Sequence, residues 1–346
     1  MDVLELLGRL SEAPGVSGDE GAVRTILKEA IKPYVDKMRV DALGNLIAVR
    51  RATQENPMRV MVEAHMDEVG LMVIRAEKNG HLRFRKVGGI DDRILPAKRV
   101  KVGKEGIPGV IGIKPIHLLK GEEKKRVLGV DDLFIDIGVS SQEEAERLVK
   151  RGDRAVFDTA FDDLGLRVKG KAFDDRVGCA ILGGLLAAGP YPVELYAVFA
   201  TQEEIGARGA RVAAYDINPD VAFVLEGTVA DDLPKEKDES PTTELGKGPA
   251  LTVMDRSVIV DPRLLRFLIR TAEAEGIPYQ VKQPGVGGTD AGRIHLAREG
   301  VPSAVAAVPC RYIHGPASVL DKQDLNWTLQ LMQAALRGIS RDVLAR

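Results

Sequence analysis

The spacing of apolar positions changes along the chain, and the changes divide it into parts. Over 1–68 it opens as helical: Ser17, Gly18, Asp19 and Glu20 form a capping-box pattern ahead of Val23, Ile26, Leu27, Ala30 and Ile31. Extended runs follow at 46–49 and 59–64, the second ending in Glu63-Ala64-His65-Met66-Asp67. From 71 to 163 glycines break the chain into short extended runs, among them 82–87, 99–102 and 134–139, with one predicted helix over 142–150 opened by Ser141 and Glu144. Beyond Lys171 helices and strands alternate: helix 175–188, strands 193–201 and 221–225, helix 262–275, strand 303–308, helix 323–337. That alternation predicts an α/β fold, a sheet covered by helices on both faces. The strands before residue 71 need the later ones to complete this sheet. The pattern therefore predicts a discontinuous α/β domain over 1–70 and 164–346 interrupted by a β-rich insertion over 71–163, remote from any site at the strand ends. Residues 231–248, with Lys235, Glu236, Lys237, Asp238 and Glu239, read as a polar surface loop near a site entrance.

Composition narrows the function. Among 346 residues, 49 basic and 51 acidic side chains give a net charge of −2, with no stretch concentrating either sign, so no nucleic-acid partner is expected. Cys179 and Cys310 are too few for a disulfide framework or a thiolate metal cluster, which fits a reducing compartment. Asp2 and Glu5 among the first leucines do not read as a secretory leader, and no apolar stretch is long enough to span a bilayer. A cytoplasmic location without membrane contact is the expectation.

In open α/β sheets ligands bind beyond the carboxyl ends of the strands, so polar residues just after each apolar run carry the candidate chemistry. His65 and Asp67 follow 60–64, Glu203 and Glu204 follow 195–201, Glu226 follows 221–225, His314 follows 304–313, and Asp174 precedes the helix that begins near Asp175. Each has a bland alternative: a satisfied polar pair for His65 and Asp67, a solvated face for Glu203 and Glu204, a helix cap for Asp174 and Asp175. Adjacent charges ending a strongly apolar strand are nevertheless costly unless water or a metal meets them. Imidazoles with carboxylates, and no thiolate, form the donor set that Zn²⁺, Co²⁺ or Mn²⁺ accept.

The motifs Ala64-His65-Met66-Asp67-Glu68-Val69-Gly70, Ala172-Phe173-Asp174-Asp175-Arg176, Thr201-Gln202-Glu203-Glu204-Ile205-Gly206, Glu226-Gly227-Thr228, Gly287-Gly288-Thr289-Asp290-Ala291-Gly292 and Arg311-Tyr312-Ile313-His314 resemble, in order and separation, the tetrahedral aminopeptidases. That family includes glutamyl and deblocking aminopeptidases, and the resemblance spans nearly the whole chain. It implies a mixed-sheet, zinc-exopeptidase-like catalytic domain with an inserted barrel-like domain used for oligomerisation. It implies two divalent ions per chain, Zn or Co: His65, Asp174 and Glu226 at one, Asp174, Glu204 and His314 at the other, with Asp174 bridging. Asp67 would orient His65, Glu203 would be the general base, and the Asp174-Asp175 peptide would be cis. Many relatives carry Asp where Glu226 stands, and the donor is oxygen in both. The implied activity is release of N-terminal residues from short peptides, within a homo-oligomer that is a tetrahedral dodecamer. Gly288, Thr289 and Asp290 would contact the substrate, although Asp290 reads equally as the cap of a helix beginning at Ala291.

Two cations about 3.5–4 Å apart can polarise a carbonyl and acidify a water, which suits amide hydrolysis. An amidase or deacylase would use the same centre. An endoglucanase, a label some relatives have carried, would need two facing carboxyls about 5–5.5 or 6.5–9.5 Å apart and has no use for the histidines. A self-assembling scaffold with structural metals would close each site with four protein ligands, which the implied set does not do.

Overall fold

The runs Arg59–His65 and Glu194–Ala200 are buried almost throughout, as in strands covered on both faces. In the computed structural model, which describes residues 1–121, 125–234, 242–285 and 287–345, they lie at the centre of an eleven-stranded mixed sheet. The strands in chain order are β1 (Lys37–Val40), β2 (Leu46–Arg50) and β3 (Arg59–His65), then β4 (Gly70–Ala76), β5 (Leu82–Val87), β6 (Arg99–Val102), β7 (Ile107–Gly112), β8 (Phe134–Asp136) and β9 (Arg154–Phe157). They continue with β10 (Asp162–Asp163), β11 (Arg167–Gly170), β12 (Glu194–Ala200), β13 (Val221–Val229), β14 (Ala250–Thr252), β15 (Gln280–Lys282), β16 (Ser303–Arg311) and β17 (Ser318–Asp321). The sheet runs β1-β2-β12-β3-β13-β16-β17-β11-β10, with β14 pairing β16 and β15 pairing β14. Its centre, β12-β3-β13-β16, is parallel, so four carboxyl ends open on one edge.

The helices are α1 (Val3–Glu12), α2 (Gly21–Ile31), α3 (Gln142–Leu148), α4 (Phe173–Ala188), α5 (Arg208–Ile217), α6 (Pro262–Glu275), α7 (Ala291–Ile294) and α8 (Lys322–Gly338). Val60 and Val62 of β3 pack with α1, α2, α4, α6 and α8 on one face, while Met61 packs with α5 and α7 on the other. That split follows from the two-residue repeat of a strand. The predicted α/β fold with helices on both faces is thus present.

β4, β5, β8, β7, β6 and β9 close into a barrel, entered four residues after β3 ends and left before β10. Its interior is filled by Val73, Phe84, Val100, Ile111, Ile135 and Phe157, and closure leaves no strand edge bare. Ser141 caps α3 by accepting from the Glu144 N–H at 3.2 Å, while the Glu144 carboxylate accepts from the Ser140 N–H.

The other capping box is not formed. α2 begins at Gly21, and its cap position, Glu20, makes no side-chain cap bond. Ser17 instead donates to Asp67 Oδ2 at 2.6 Å, a partner fifty residues away that local spacing cannot announce. Of the polar loop over 231–248, residues 235–241, with Lys235, Glu236, Lys237, Asp238 and Glu239, lie outside the described residues. Among the described residues no helix is long and apolar enough to cross a membrane.

Candidate metal centre

Because the central strands are parallel, His65 at the end of β3 and the turn after β12 reach the same edge. The turn is sharp: Gln202 has φ 60°, and the Gly209 N–H closes back on the Thr201 carbonyl at 3.0 Å. Leaving the pleat lets Glu203 and Glu204 face one site although they are neighbours. Glu226 does not follow its strand but lies within β13, which continues to Val229 because it stays paired with β16 (Glu226 opposite Ala307). β16 ends at Arg311, and His314, with φ 57°, turns back toward the sheet edge. Asp174 precedes the regular part of α4, and the Asp174-Asp175 peptide is cis. Asp175 is the capping residue, accepting from the Gly178 N–H at 2.9 Å and from the His65 N–H at 3.1 Å.

Two three-residue groups result, His65-Asp174-Glu226 and Asp174-Glu204-His314, each with its donor atoms within 4.8 Å of one another. His65 Nε2 lies 3.3 Å from Asp174 Oδ1 and 3.6 Å from Glu226 Oε2. His314 Nε2 lies 3.3 Å from Asp174 Oδ2 and 3.4 Å from Glu204 Oε1. The two oxygens of Asp174 therefore serve different histidines.

Each imidazole is held from behind. His65 Nδ1 lies 3.1 Å from the Asp67 carbonyl and 3.5 Å from Asp67 Oδ1. His314 Nδ1 lies 2.9 Å from the Gly89 carbonyl. Donation from Nδ1 leaves each Nε2 lone pair facing the carboxylates, as a ligand requires. The Asp67 carboxylate accepts from the Ser17 hydroxyl and from the N–H groups of Glu203 (2.9 Å) and Glu204 (3.2 Å), so it fixes the turn as well as the histidine. Gly89 belongs to the barrel segment after β5, and a side chain at Gly88 would meet Glu204 Cβ at 3.3 Å. The insertion is therefore not remote from the site: it contributes an orienting carbonyl.

The electrostatics are those of crowded carboxylates. Burial, with repulsion from Asp290, Glu204 and Asp174 outweighing attraction to His65, pushes Glu203 up to about 9. Glu204 is pushed up to about 8 by burial and then by Asp174, against attraction to His314. Glu226 is likewise raised, chiefly by burial. At His314 burial opposes the charge, but Asp174 and Glu204 win and raise it to about 9. His65 is raised in the same way, since its bonds to Asp174 and Asp67 outweigh burial. For Asp174, burial is overcome by the two histidines, which hold it below the usual carboxylate range. The site thus holds more acceptor oxygen than positive charge to balance it. Imidazole nitrogen and carboxylate oxygen without thiolate fit divalent Zn, Co or Mn, and cations held there would supply the missing charge.

A cavity of about 370 Å³ opens over the centre, lined by His65, Asp174, Glu203, Glu226 and His314 and, further out, by Thr228, Thr252, Lys282, Gly288, Thr289 and Ile313. Of the residues expected to contact substrate, Gly288 and Thr289 line it and Asp290 does not. Asp290 is fully buried, makes no side-chain cap to α7, and lies beside the Glu63 carboxyl of β3; among the described residues neither carboxyl has any other hydrogen-bond partner. The contacts thus set Asp290 beside Glu63 rather than at the cap of α7 or on the cavity wall.

Sequence reasoning missed three features. The Gly89 carbonyl has no sequence signal. Glu68 is buried between Lys171 (2.7 Å) and Arg176 (3.3 Å), a network flanking Asp174 whose only cue was its place in the motifs. Lys282 stands five residues before Gly287-Gly288 and was invisible without β15.

A family model described as M42 glutamyl aminopeptidase matches residues 44–331. A lysyl aminopeptidase of Pyrococcus furiosus is 36% identical, with 97% of each chain covered. A glutamyl aminopeptidase of Lactococcus lactis is 32% identical over 100% of this chain and 99% of its own. Among solved structures, a TET aminopeptidase from the marine sediment archaeon Thaumarchaeota archaeon SCGC AB-539-E09 superposes with TM-score 0.94 at 38% identity, covering 99% and 98%. The Pyrococcus horikoshii TET1 peptidase, which can assemble into a tetrahedron or a large octahedral shell, gives 0.87 at 35% identity, covering 98% and 100%. A Thermotoga maritima protein named as an endoglucanase gives 0.80 at 37%, covering 96% of both.

Proposed function

The chain belongs to the M42 glutamyl aminopeptidase family and is a peptide hydrolase, and from that premise we propose that it releases N-terminal residues from short peptides with a two-metal centre. One observation carries the reading: Asp174 presents one oxygen to His65 and the other to His314, and groups with Glu226 on one side and Glu204 on the other. His65, Asp174 and Glu226 would hold one divalent ion and Asp174, Glu204 and His314 the second, zinc or cobalt by donor type. When bound, such ions supply Lewis acidity toward the scissile carbonyl and the attacking water.

The chain's own residues do the rest. Glu203 lines the cavity without belonging to either ligand group, which suits it to take the proton from the attacking water and return it to the leaving amine. Asp67 positions that base through the Glu203 N–H. Gly288 and Thr289 form the wall against which a substrate backbone would lie. A glycosidase has no use for two histidines bridged by an aspartate, which disfavours the endoglucanase reading.

Residues 1–70 and 164–346 would form the catalytic unit, and 71–163 would supply contacts in a homo-oligomer, a tetrahedral dodecamer that admits short peptides. Exposed apolar side chains within 71–163, Val110, Ile116, Leu118 and Val127, support this use. Both cysteines are buried and unpaired, in keeping with a reducing, cytoplasmic location.

The test is hydrolysis of aminoacyl p-nitroanilides before and after chelation. Activity lost to a chelator and restored by Zn²⁺ or Co²⁺ is expected. Activity that survives exhaustive metal removal contradicts the reading, as does chelator-insensitive cleavage of a glucan.

A further inference from the structure

The cavity holds a cation and a hydroxyl that neither the metal ligands nor proton transfer uses. Lys282 ends β15, is 5% exposed, and lines the cavity. Burial works against its charge, and Glu226, Asp255 and Asp174 offset this only from a distance, with no hydrogen bond or ion pair to the ammonium among the described residues. Asp255 is already engaged by Ser257, Val258 and Thr289. Thr252 of β14 is the register partner of Lys282, is 1% exposed, and lines the same cavity. Its Oγ1 has no hydrogen-bond partner among the described residues.

Register partners on paired strands share a face, so ammonium and hydroxyl stand side by side. Val305, Ala307 and Ile313 supply apolar wall in the same cavity. A buried cation and an orphaned hydroxyl are each costly alone. A carboxylate on a short aliphatic stem satisfies both: its charge meets Lys282, its second oxygen accepts from Thr252, and its methylenes lie on the apolar wall.

We propose that Lys282 and Thr252 form the side-chain subsite of the cavity and select an N-terminal residue bearing a carboxylate, glutamate or aspartate. This rests on the aminopeptidase reading above. Family membership does not decide it, since relatives of similar identity are named for lysyl and for glutamyl substrates.

The metal-loaded full chain is assayed with glutamyl-, leucyl- and lysyl-p-nitroanilide, as wild type, Lys282→Met, Lys282→Glu and Thr252→Val, with metal content measured for each. Free glutamate and leucine are titrated calorimetrically into the same proteins. The expected wild type favours glutamyl over leucyl by tenfold or more in kcat/KM, on the order of what one buried charged hydrogen bond confers. Lys282→Met lowers that ratio about a hundredfold, mainly through KM, the usual consequence of removing one partner of a buried charge pair. Thr252→Val lowers it about tenfold. Lys282→Glu turns the preference toward lysyl.

A wild type without acidic preference overturns the proposal, as does a Lys282→Met enzyme that loses all three substrates equally at normal metal content. The C-terminal carboxylate of a dipeptide is the other source of the same chemistry. If Leu-Ala is preferred to Leu-alaninamide, and Lys282→Met removes that preference, the subsite reads the wrong end of the substrate and the proposal falls. If no anilide is cleaved, the hydrolase reading fails separately, and calorimetry still decides. Glutamate bound more tightly than leucine by wild type but not by Lys282→Met upholds the subsite, and equal binding overturns it.

Discussion

Glu203 and Glu204 adjoin in sequence, both donate their backbone N–H to the Asp67 carboxylate, and yet face different duties. Glu204 Oε1 lies 3.4 Å from His314 Nε2 inside a ligand group, while Glu203 stands outside both groups on the cavity wall. An amide keeps size and hydrogen bonding but accepts no proton, so Glu203→Gln is expected to lower kcat by about 10²–10⁴-fold with metal content near wild type. Glu204→Gln should lose metal as well as rate. Turnover and metal stoichiometry, measured side by side, check the pair; a Glu203→Gln enzyme with near-normal kcat would assign the base elsewhere. Several candidate site residues were legible in the sequence because His65, Glu203 and Glu204 stand at the ends of apolar runs, where charge demands an explanation. The Gly89 carbonyl that orients His314 was not, since it is a backbone group 225 residues away. Lys282 was hidden for the same reason, as a lysine in an unremarkable stretch until β15 places it.

The contact between β13 and the start of α4 sets Asp174. A side chain at Gly227 would lie 2.9 Å from the Phe173 carbonyl oxygen and 3.0 Å from the Asp174 N and Cα, all backbone atoms with little room to retreat. Gly227→Ala should push the α4 start outward, cost about 1–3 kcal/mol of stability, and weaken metal retention at both groups, because both share Asp174. Thermal unfolding and elemental analysis check this; unchanged metal content would show that Asp174 is not held from this side. At this scale the long elements were readable and the short ones were not. β3, β12, β13 and β16 announce themselves as continuous apolar runs, whereas β10, β14, β15 and β17 span only two to four residues and owe their form to a neighbouring strand. The Ser17 pattern misled because its hydroxyl had a better partner in Asp67 than a local N–H.

The molecule joins a sheet that collects donors at one edge to a barrel that reaches back to that edge through Gly88 and Gly89. The glycine-broken texture of 71–163 disclosed the insertion and its β character, but not its closure or its touch on the site, which depend on pairings such as β6 with β9 across more than fifty residues. If the exposed Ile116, Leu118 and Val127 serve assembly, light scattering should give a mass near twelve times the 37.5 kDa chain, and aspartate at these three positions should lower it. A stable, active wild-type monomer would contradict that use. The central claim is that Asp174 bridges two ions that act together. It is tested most directly by titrating metal-free protein with Zn²⁺ or Co²⁺ while measuring bound metal and aminopeptidase activity on one sample. Two ions bound per chain at full activity, and full activity only when both sites are filled, is the expected result; full activity with one ion per chain, or with none, would contradict it.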